Sequence, residues 1–157
     1  RSGKCACLPK ITPLMFIGEY NHSLDDKGRL AVPKKFRTVL AKGAVITRGL
    51  DNCLFLYTKN EWAKLAEKLA GLPFAQANTR AFARLMLAGA MDVDLDNQGR
   101  VIIPEYLRAF GELKKDVIVA GLYNRLEIWD ASKWADYTKR TEAESTAIAE
   151  QMSDLGV

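Results

Sequence analysis

The sequence predicts an α+β protein with a mainly β core, built from two copies of one unit with helices packed outside it. Two observations carry this prediction: the chain repeats itself, and each repeat alternates short apolar runs with turn signals. The length of 157 residues, 48% of them hydrophobic, suits one domain or two small similar ones. Because small sheets are marginally stable, the four short strands of one copy cannot close a core alone, and we expect one barrel-like core from both copies.

The repeat is visible by direct alignment of the two halves. Residues 18–37, GEYNHSLDDKGRLAVPKKFR, match residues 89–108, GAMDVDLDNQGRVIIPEYLR, at seven of twenty positions, where chance gives about one or two. After one extra residue in the intervening loop, residues 44–62, AVITRGLDNCLFLYTKNEW, match residues 116–134, DVIVAGLYNRLEIWDASKW, again at seven positions. A middle segment that contains further helical pattern joins the two copies.

Each copy begins with a short strand that leads into the motif Leu-Asp-x-x-Gly-Arg. The aspartate can bond its own downstream backbone in a turn, and the glycine supplies a positive φ. The residues that we expect to orient the two turns are Asp25, Gly28, Asp96 and Gly99. A short apolar run then leads to a proline, and because proline pre-sets φ for the first helical position, short helices are predicted after Pro33 and Pro104.

Two further strands in each copy surround a hairpin signal and lead into a longer helix. The hairpin signals are Gly-Leu-Asp-Asn at 49–52 and Gly-Leu-Tyr-Asn at 121–124. Thr58 opens a capping-box pattern before the first of the longer helices. A break at 71–73 precedes another helical pattern, and the weakly amphipathic segment 141–155 could dock on a neighbour, fray or be disordered.

Charge is distributed unevenly between the copies. The net charge is +4, but three positive charges lie in residues 1–14, which leaves +1 for the remainder. From Lys27 to Leu50 there are seven basic residues and no acidic one, whereas the matching stretch of copy two is mixed. Since phosphate binding needs clustered Lys and Arg, copy one is the candidate for contact with a polyanion. The alternative is that this charged stretch is an ordinary solvated face.

The arginines that occur in both copies allow a structural interpretation. Arg29 and Arg100 each follow an aspartate by four residues across a tight turn, where an ion pair could fix the turn. Such an exposed pair contributes only about 0–1 kcal/mol. Arg37 and Arg108 are ambiguous in the same way, and their occurrence in both copies favours a role in the fold.

Several other classes of protein are disfavoured. Three cysteines, Cys5, Cys7 and Cys53, do not make a disulfide framework, and a single histidine, His22, leaves no metal-ligand set of standard spacing. The glycine turns match no phosphate-loop or dinucleotide fingerprint. No apolar run approaches the roughly 18 residues that span a bilayer, and the first residues lack a signal-peptide core. We therefore expect no catalytic residue, metal, cofactor, small-molecule substrate or membrane partner, and a cytoplasmic location.

Three motifs together carry a family resemblance: Met15-Phe16-x-Gly18, then Leu24-Asp-Asp-Lys-Gly-Arg-Leu-Ala-Val-Pro33, then Leu95-Asp-Asn-Gln-Gly-Arg-Val-Ile-Ile-Pro104. In this pairing the chain resembles MraZ, a bacterial regulator family associated with the division and cell-wall gene cluster. The resemblance covers essentially residues 15–150. One copy of the motif would indicate only the wider AbrB-like swapped-hairpin class.

The resemblance implies a fold and a function beyond what the residue patterns establish. Members combine two AbrB-like halves into one swapped-hairpin β-barrel with peripheral helices, assemble into closed rings, and regulate transcription from short repeated promoter sites of their own cluster. Double-stranded DNA and further copies of the chain are the implied partners, with a nucleoid-associated location. The family begins at a methionine matching Met15, so residues 1–14 are expected to be an extension. Residues 15–88 then form the first half with linking helices, and residues 89–157 the second half with a C-terminal helix.

The DNA-binding residues predicted from charge and resemblance together are Lys27, Arg29, Lys34, Lys35, Arg37 and Arg100. Arg29 is the leading candidate to contact a base or phosphate, with Asp25 orienting its turn. Copy two carries Gln98 at the position of Lys27, so unequal contact by the two halves is expected. The turn is too short for a recognition helix, which favours a loop or strand edge in the major groove. The alternative function is a ring-forming scaffold for protein interactions without specific DNA recognition; a hydrolase using aspartates and His22 is a third.

Overall fold

Eight short strands and six helices lie within residues 15–156, the part of the chain that the computed structural model describes. The strands are β1 (Phe16–Ser23), β2 (Arg29–Ala31), β3 (Ala44–Arg48), β4 (Leu54–Thr58), β5 (Met91–Val93), β6 (Arg100–Ile102), β7 (Asp116–Tyr123) and β8 (Leu126–Asp130). The helices are α1 (Arg37–Leu40), α2 (Lys59–Ala70), α3 (Ala77–Ala83), α4 (Glu105–Phe110), α5 (Ala131–Ala143) and α6 (Ser145–Gln151). The predicted α+β class is confirmed. The expectation for residues 1–14, including Cys5 and Cys7, lies outside the described residues.

The two copies are interleaved through their strands. The sheet is antiparallel, with the order β1-β7-β8-β4-β3-β5, and a separate two-stranded ribbon pairs β2 with β6. Exchanging the copies leaves this order unchanged, so a pseudo-two-fold axis passes between β4 and β8 and between β2 and β6. Among the described strands, the first strand of each copy pairs only with the other copy: β1 with β7 and β5 with β3. Strand pairing among residues 15–156 leaves sheet and ribbon separate, so closure of the predicted barrel is not confirmed.

Two apolar layers cover the two faces of the six-stranded sheet. The first layer lies between the sheet and the ribbon and takes side chains from both copies, among them Leu30, Val101, Phe36 and Leu107. The second layer packs α2, α3 and α5 against the opposite face, around Trp129. The expectation of one core built by both copies is therefore confirmed, and the ribbon lies on the face away from the longer helices.

Most local predictions of helix and turn are confirmed. A 3₁₀ turn at Lys34–Phe36 follows the first proline and continues into α1, and α4 follows the second proline. The Thr58 Oγ1 accepts a hydrogen bond from the Glu61 backbone N–H at 3.2 Å, which caps α2. Helix α3 continues into a π-helical turn at Arg84–Ala88. The segment after α5 forms α6 and a 3₁₀ turn, whose residues are exposed.

The strands β3 and β7 are offset by one residue from their sequence alignment. Ile46 and Ile118 are aligned and identical in sequence, yet Ile46 lies in the first apolar layer and Ile118 in the second. The strand pairing makes Val119 the counterpart of Ile46. Copy two has two more residues before this strand and one fewer in the hairpin after it. Because side chains alternate along a strand, a shift of one residue moves each aligned pair to opposite faces.

Candidate nucleic-acid interface

Two glycine turns of the same geometry precede the two strands of the ribbon. The Asp25 Oδ1 accepts hydrogen bonds from the backbone N–H groups of Lys27 at 3.0 Å and Arg29 at 2.8 Å. The Asp96 Oδ1 makes the equivalent bonds in the second turn, both at 2.9 Å. Each carboxylate therefore satisfies two N–H groups of its own turn and holds that turn in one shape.

The glycine of each turn meets an arginine of the other copy. Gly28 and Gly99 both have φ of +74°, a region that favours glycine because it has no Cβ. A Cβ on Gly28 would lie 2.8 Å from the Arg108 Cζ, and a Cβ on Gly99 would overlap the Arg37 side chain. Arg37 and Arg108 thus pack across the pseudo-two-fold axis, which supports the role in the fold that their occurrence in both copies favours.

The arginine that follows each turn is ion-paired with the aspartate of the same turn. The Arg29 Nε lies 2.5 Å from the Asp25 Oδ2, and the Arg100 Nε lies 2.9 Å from the Asp96 Oδ2. Arg100 Nη1 is also 3.9 Å from the Asp25 Oδ2, so the turns of the two copies are adjacent. The Arg29 and Arg100 side chains are 27% and 26% exposed. Both lie on the ribbon face opposite the core.

We name this exposed region the double-turn surface; its residues are Asp25, Lys27, Arg29, Asp96, Gln98 and Arg100. The backbone N–H of Arg29 holds the pKa of Asp25 below its usual range, against desolvation, and the Arg29 guanidinium adds to the effect. The backbone N–H of Arg100 lowers the pKa of Asp96 in the same manner. Both carboxylates are therefore charged at neutral pH and balance the two arginines. Lys27 is the one unbalanced charge among the named residues, and the exposed Asp26 precedes it in the same turn.

The other predicted DNA-binding residues lie beside this cluster. Lys34 and Lys35 are exposed on the 3₁₀ turn. The Lys35 Nζ lies 5.7 Å from the ring centre of Tyr20 and 5.2 Å from that of Phe36. The Arg37 Nε donates to the Val32 carbonyl at 3.0 Å, so part of this guanidinium is used within the protein. The structure thus joins the turn aspartates and their arginines in one cluster, with the two helix-start lysines outside it.

Three cationic residues adjoin the copy-one turn, of which the two lysines were not among the candidates from the sequence and Arg108 was ambiguous. Arg108, Lys114 and Lys115 belong to copy two, but the interleaved fold places them beside Leu24–Asp26. The Leu24 N–H donates to the Lys115 carbonyl at 2.8 Å. The sequence feature that could have identified the lysines is their adjacency just before β7, where copy one has only Lys42 and a glycine. Their location became clear only with the pairing of β1 and β7.

The residues considered for other chemistry lie apart from this surface. His22 is half-buried on β1, and burial, followed by the charge of Arg37, lowers its pKa. Cys53 is buried; burial raises the pKa of its thiol, and its Sγ donates to the Leu50 carbonyl at 3.1 Å. Within residues 15–156, no three His, Cys, Asp or Glu side chains are grouped as metal ligands. None of the helices in that range has the length and apolar character needed to cross a bilayer.

Comparison with known proteins gives matches along nearly the whole chain. A family model described as "MraZ protein, putative antitoxin-like" matches twice, at residues 15–85 and 86–155. Among curated proteins, the chain is 47% identical to the transcriptional regulator MraZ of Moorella thermoacetica, 46% to that of Syntrophomonas wolfei and 48% to that of Acetivibrio thermocellus. Each alignment spans 143 residues, which is 91% of this chain and 100% of the relative.

Proposed function

Because the chain belongs to the MraZ family, whose curated members are named transcriptional regulators, we propose that it is a sequence-specific DNA-binding regulator of transcription. The resemblance inferred from the paired motifs is thereby confirmed, and the family is one of regulators rather than enzymes. The proposed targets are short repeated sites in the promoter of its own division and cell-wall gene cluster. The observation that supports this function best is the double-turn surface, which is exposed, bears two arginines and has each turn hydrogen-bonded to its own aspartate.

The shape of the ribbon suits a major groove. A major groove about 12 Å wide admits a two-stranded ribbon as well as a helix. The ribbon formed by β2 and β6 presents Arg29 and Arg100 on its outer face, while its central side chains are buried in the core. The Asp25 Oδ2 accepts a hydrogen bond from the Arg29 Nε, and in this proposal the terminal nitrogens of the guanidinium donate to an external acceptor. A guanidinium presented in this way matches the O6 and N7 acceptors of guanine.

The two copies would contribute unequally to binding. Lys27 is exposed next to Arg29, where copy two presents the uncharged Gln98. Copy one also carries Lys34 and Lys35 at its helix start, where copy two has Glu105 and Tyr106. In this proposal Arg29 contacts a base, the three lysines and Arg37 contact phosphates, and Arg100 makes a weaker contact. Several weak units suffice when an oligomer presents them to adjacent repeats, because the later contacts become intramolecular.

A DNA titration tests the function directly. By fluorescence anisotropy, the whole chain is expected to bind a duplex from upstream of its own gene more tightly than a scrambled duplex of the same composition. Binding to both duplexes should weaken steeply as salt rises, since contacts to several phosphates release counterions. Equal, weak binding of both duplexes would instead favour the scaffold for protein interactions, whose apolar contacts depend little on salt.

A closed ring of several copies is the proposed assembly, and two uncovered apolar surfaces support association. A groove of about 220 Å³ between α2 and α3 contains Arg80 and Arg84, and Phe74 at its edge is 84% exposed. Helix α6 and the turn after it expose Ile148, Met152 and Leu155, with Glu150 and Asp154 nearby. The acidic, apolar C-terminal segment complements the basic, apolar groove in charge, so we assign this segment of a neighbouring copy as the occupant.

Replacing Leu155 with aspartate is expected to reduce the mass of the assembly, because a charge would enter the apolar contact. Leu155 is 73% exposed within one copy, so the fold of that copy should be unchanged by circular dichroism. Light scattering coupled to size-exclusion chromatography measures the mass. The matched pair Arg84→Glu and Glu150→Arg should each lower the mass and restore it in combination. An unchanged mass for Leu155→Asp would exclude this mode of docking.

Two further proposals follow from the family. The ribbon and the six-stranded sheet would correspond to the swapped-hairpin barrel, a correspondence supported by the Leu24–Leu30 bridge and by the first apolar layer between them. A cytoplasmic, nucleoid-associated location would follow from binding to the chromosome. Fluorescence microscopy of the tagged chain against a DNA stain measures that location.

A further inference from the structure

A cleft of about 540 Å³ lies beside the copy-one turn and is shared by both copies. One wall is the turn segment Leu24–Asp26; the other is copy two, through Arg108, Leu113 and the lysines Lys114 and Lys115. Copy one has a shorter segment at the matching place before β3, with only Lys42 and a glycine. The cleft therefore combines the turn that carries Lys27 and Arg29 with a basic loop that only copy two has.

The cations of this cleft lack partners within the protein. Among residues 15–156, neither Arg108 nor either of the two lysines forms an ion pair. The Nε of Arg108 is buried without a hydrogen-bond acceptor, whereas the equivalent Nε of Arg37 donates to the Val32 carbonyl. Asp25 is already engaged by its own turn and by Arg29. Three cationic side chains and the exposed carboxylate of Asp26 therefore line the cleft, and the cations exceed the carboxylates, so an external anion is favoured there.

The backbone of the basic loop is held in place. The Lys115 carbonyl accepts the Leu24 N–H at 2.8 Å, and the Lys114 N–H donates to the Oδ1 of the buried Asp130 at 3.2 Å. Both lysine side chains remain exposed. Because the backbone at these lysines is fixed while their ammonium groups are exposed, the two positive charges lie beside the turn. The loop backbone need not become ordered when an anion binds.

From these contacts we infer that the cleft binds a phosphate group through Arg108, Lys114 and Lys115, and that this phosphate belongs to the backbone of the DNA whose bases Arg29 contacts. The assignment of its source rests on the proposed function. The carboxylates Asp25 and Asp96 balance the arginines of the double-turn surface, so a polyanion needs cations from beyond it. The cleft supplies them next to Arg29, and copy two thereby completes the interface of copy one.

The double substitution Lys114→Gln/Lys115→Gln tests this inference on the whole chain. We expect DNA binding to weaken about tenfold at moderate salt, with the slope of log Kd against log salt falling by about one, because one phosphate contact is lost. The preference for the promoter duplex over the scrambled one should persist, since phosphate contacts carry no sequence information. The matched control is Lys68→Gln/Lys139→Gln, which removes two exposed positive charges from α2 and α5, the helices on the opposite face of the sheet.

The outcomes separate the inference from the proposed function. The phosphate cleft would be overturned if the lysine double variant binds DNA with the same affinity and salt slope as the control variant and also keeps its affinity for inorganic pyrophosphate. Calorimetry measures the pyrophosphate affinity. An unchanged DNA slope with lost pyrophosphate binding would support the cleft but overturn DNA as the source, in favour of a free phosphorylated ligand. If the unaltered chain shows no preference between duplexes, the proposed function fails, whatever the lysine variant does.

Discussion

Replacing Arg29 with alanine is expected to abolish the proposed preference for the promoter duplex while leaving the fold and the proposed assembly intact. A bidentate arginine–guanine contact contributes about 1–3 kcal/mol of discrimination against the wrong base, and each 1.4 kcal/mol corresponds to about tenfold in affinity. One site should therefore lose about 5- to 150-fold in specificity. The ion pair that Arg29 forms with Asp25 is partly exposed, so its loss should change stability by about 1 kcal/mol or less.

Two matched variants define what this loss would mean. Arg100→Ala makes the same change in copy two and should have a smaller effect, since Gln98 replaces the neighbouring lysine there. Arg29→Lys keeps the charge but removes the planar fork, so affinity for scrambled DNA should persist while the preference is lost. Anisotropy titrations with both duplexes measure each case, with circular dichroism and light scattering as controls for folding and mass. If Arg29→Ala keeps its preference, Arg29 serves only to fix the turn.

The local structure was predictable because each signal acts over a few residues. The aspartate and glycine of each turn, the proline before each short helix and the capping threonine Thr58 determine backbone shape through their own side chains. The hairpin at 49–52 likewise contains Asp51 and Asn52 with φ of 58° and 59°, a conformation that asparagine and aspartate tolerate well. Such signals predict an element from its immediate neighbours.

The arrangement of the copies and the register of β7 could not be predicted in this way. The sequence alignment pairs Ile46 with Ile118 because the two residues are identical. The face of the sheet on which each side chain lies is instead decided by burial. That burial depends on β1 and β5, whose partners lie about a hundred and about fifty residues away along the chain. The basic loop at Lys114 and Lys115 was overlooked for the same reason. Its charge was visible in the sequence, but its neighbour in space is a turn of the other copy.

Neither half of the chain is expected to fold as a monomer. Residues 15–88 contain β1 and β2, whose partner strands among the described residues are β7 and β6 of the other half. Residues 89–156 leave β5 and β6 equally unpaired. Each half would also lose one side of the first apolar layer, and an isolated hairpin is marginally stable at best. Circular dichroism with analytical ultracentrifugation should find each half either unfolded or dimeric, and an equimolar mixture should regain cooperative unfolding. A folded monomer of residues 15–88 would contradict the interleaved pairing.

A dimer of the first half with itself is a further expected product, because both copies share the arginine and the glycine that meet across the axis. Arg37 packs on Gly99 and Arg108 on Gly28, so two first halves would present the same arginine and glycine to each other. The positions that differ, such as Lys27 and Gln98, lie on the exposed surface away from this contact. Internal repetition therefore preserves this arginine–glycine contact between the copies, while the exposed side chains of the two turns differ.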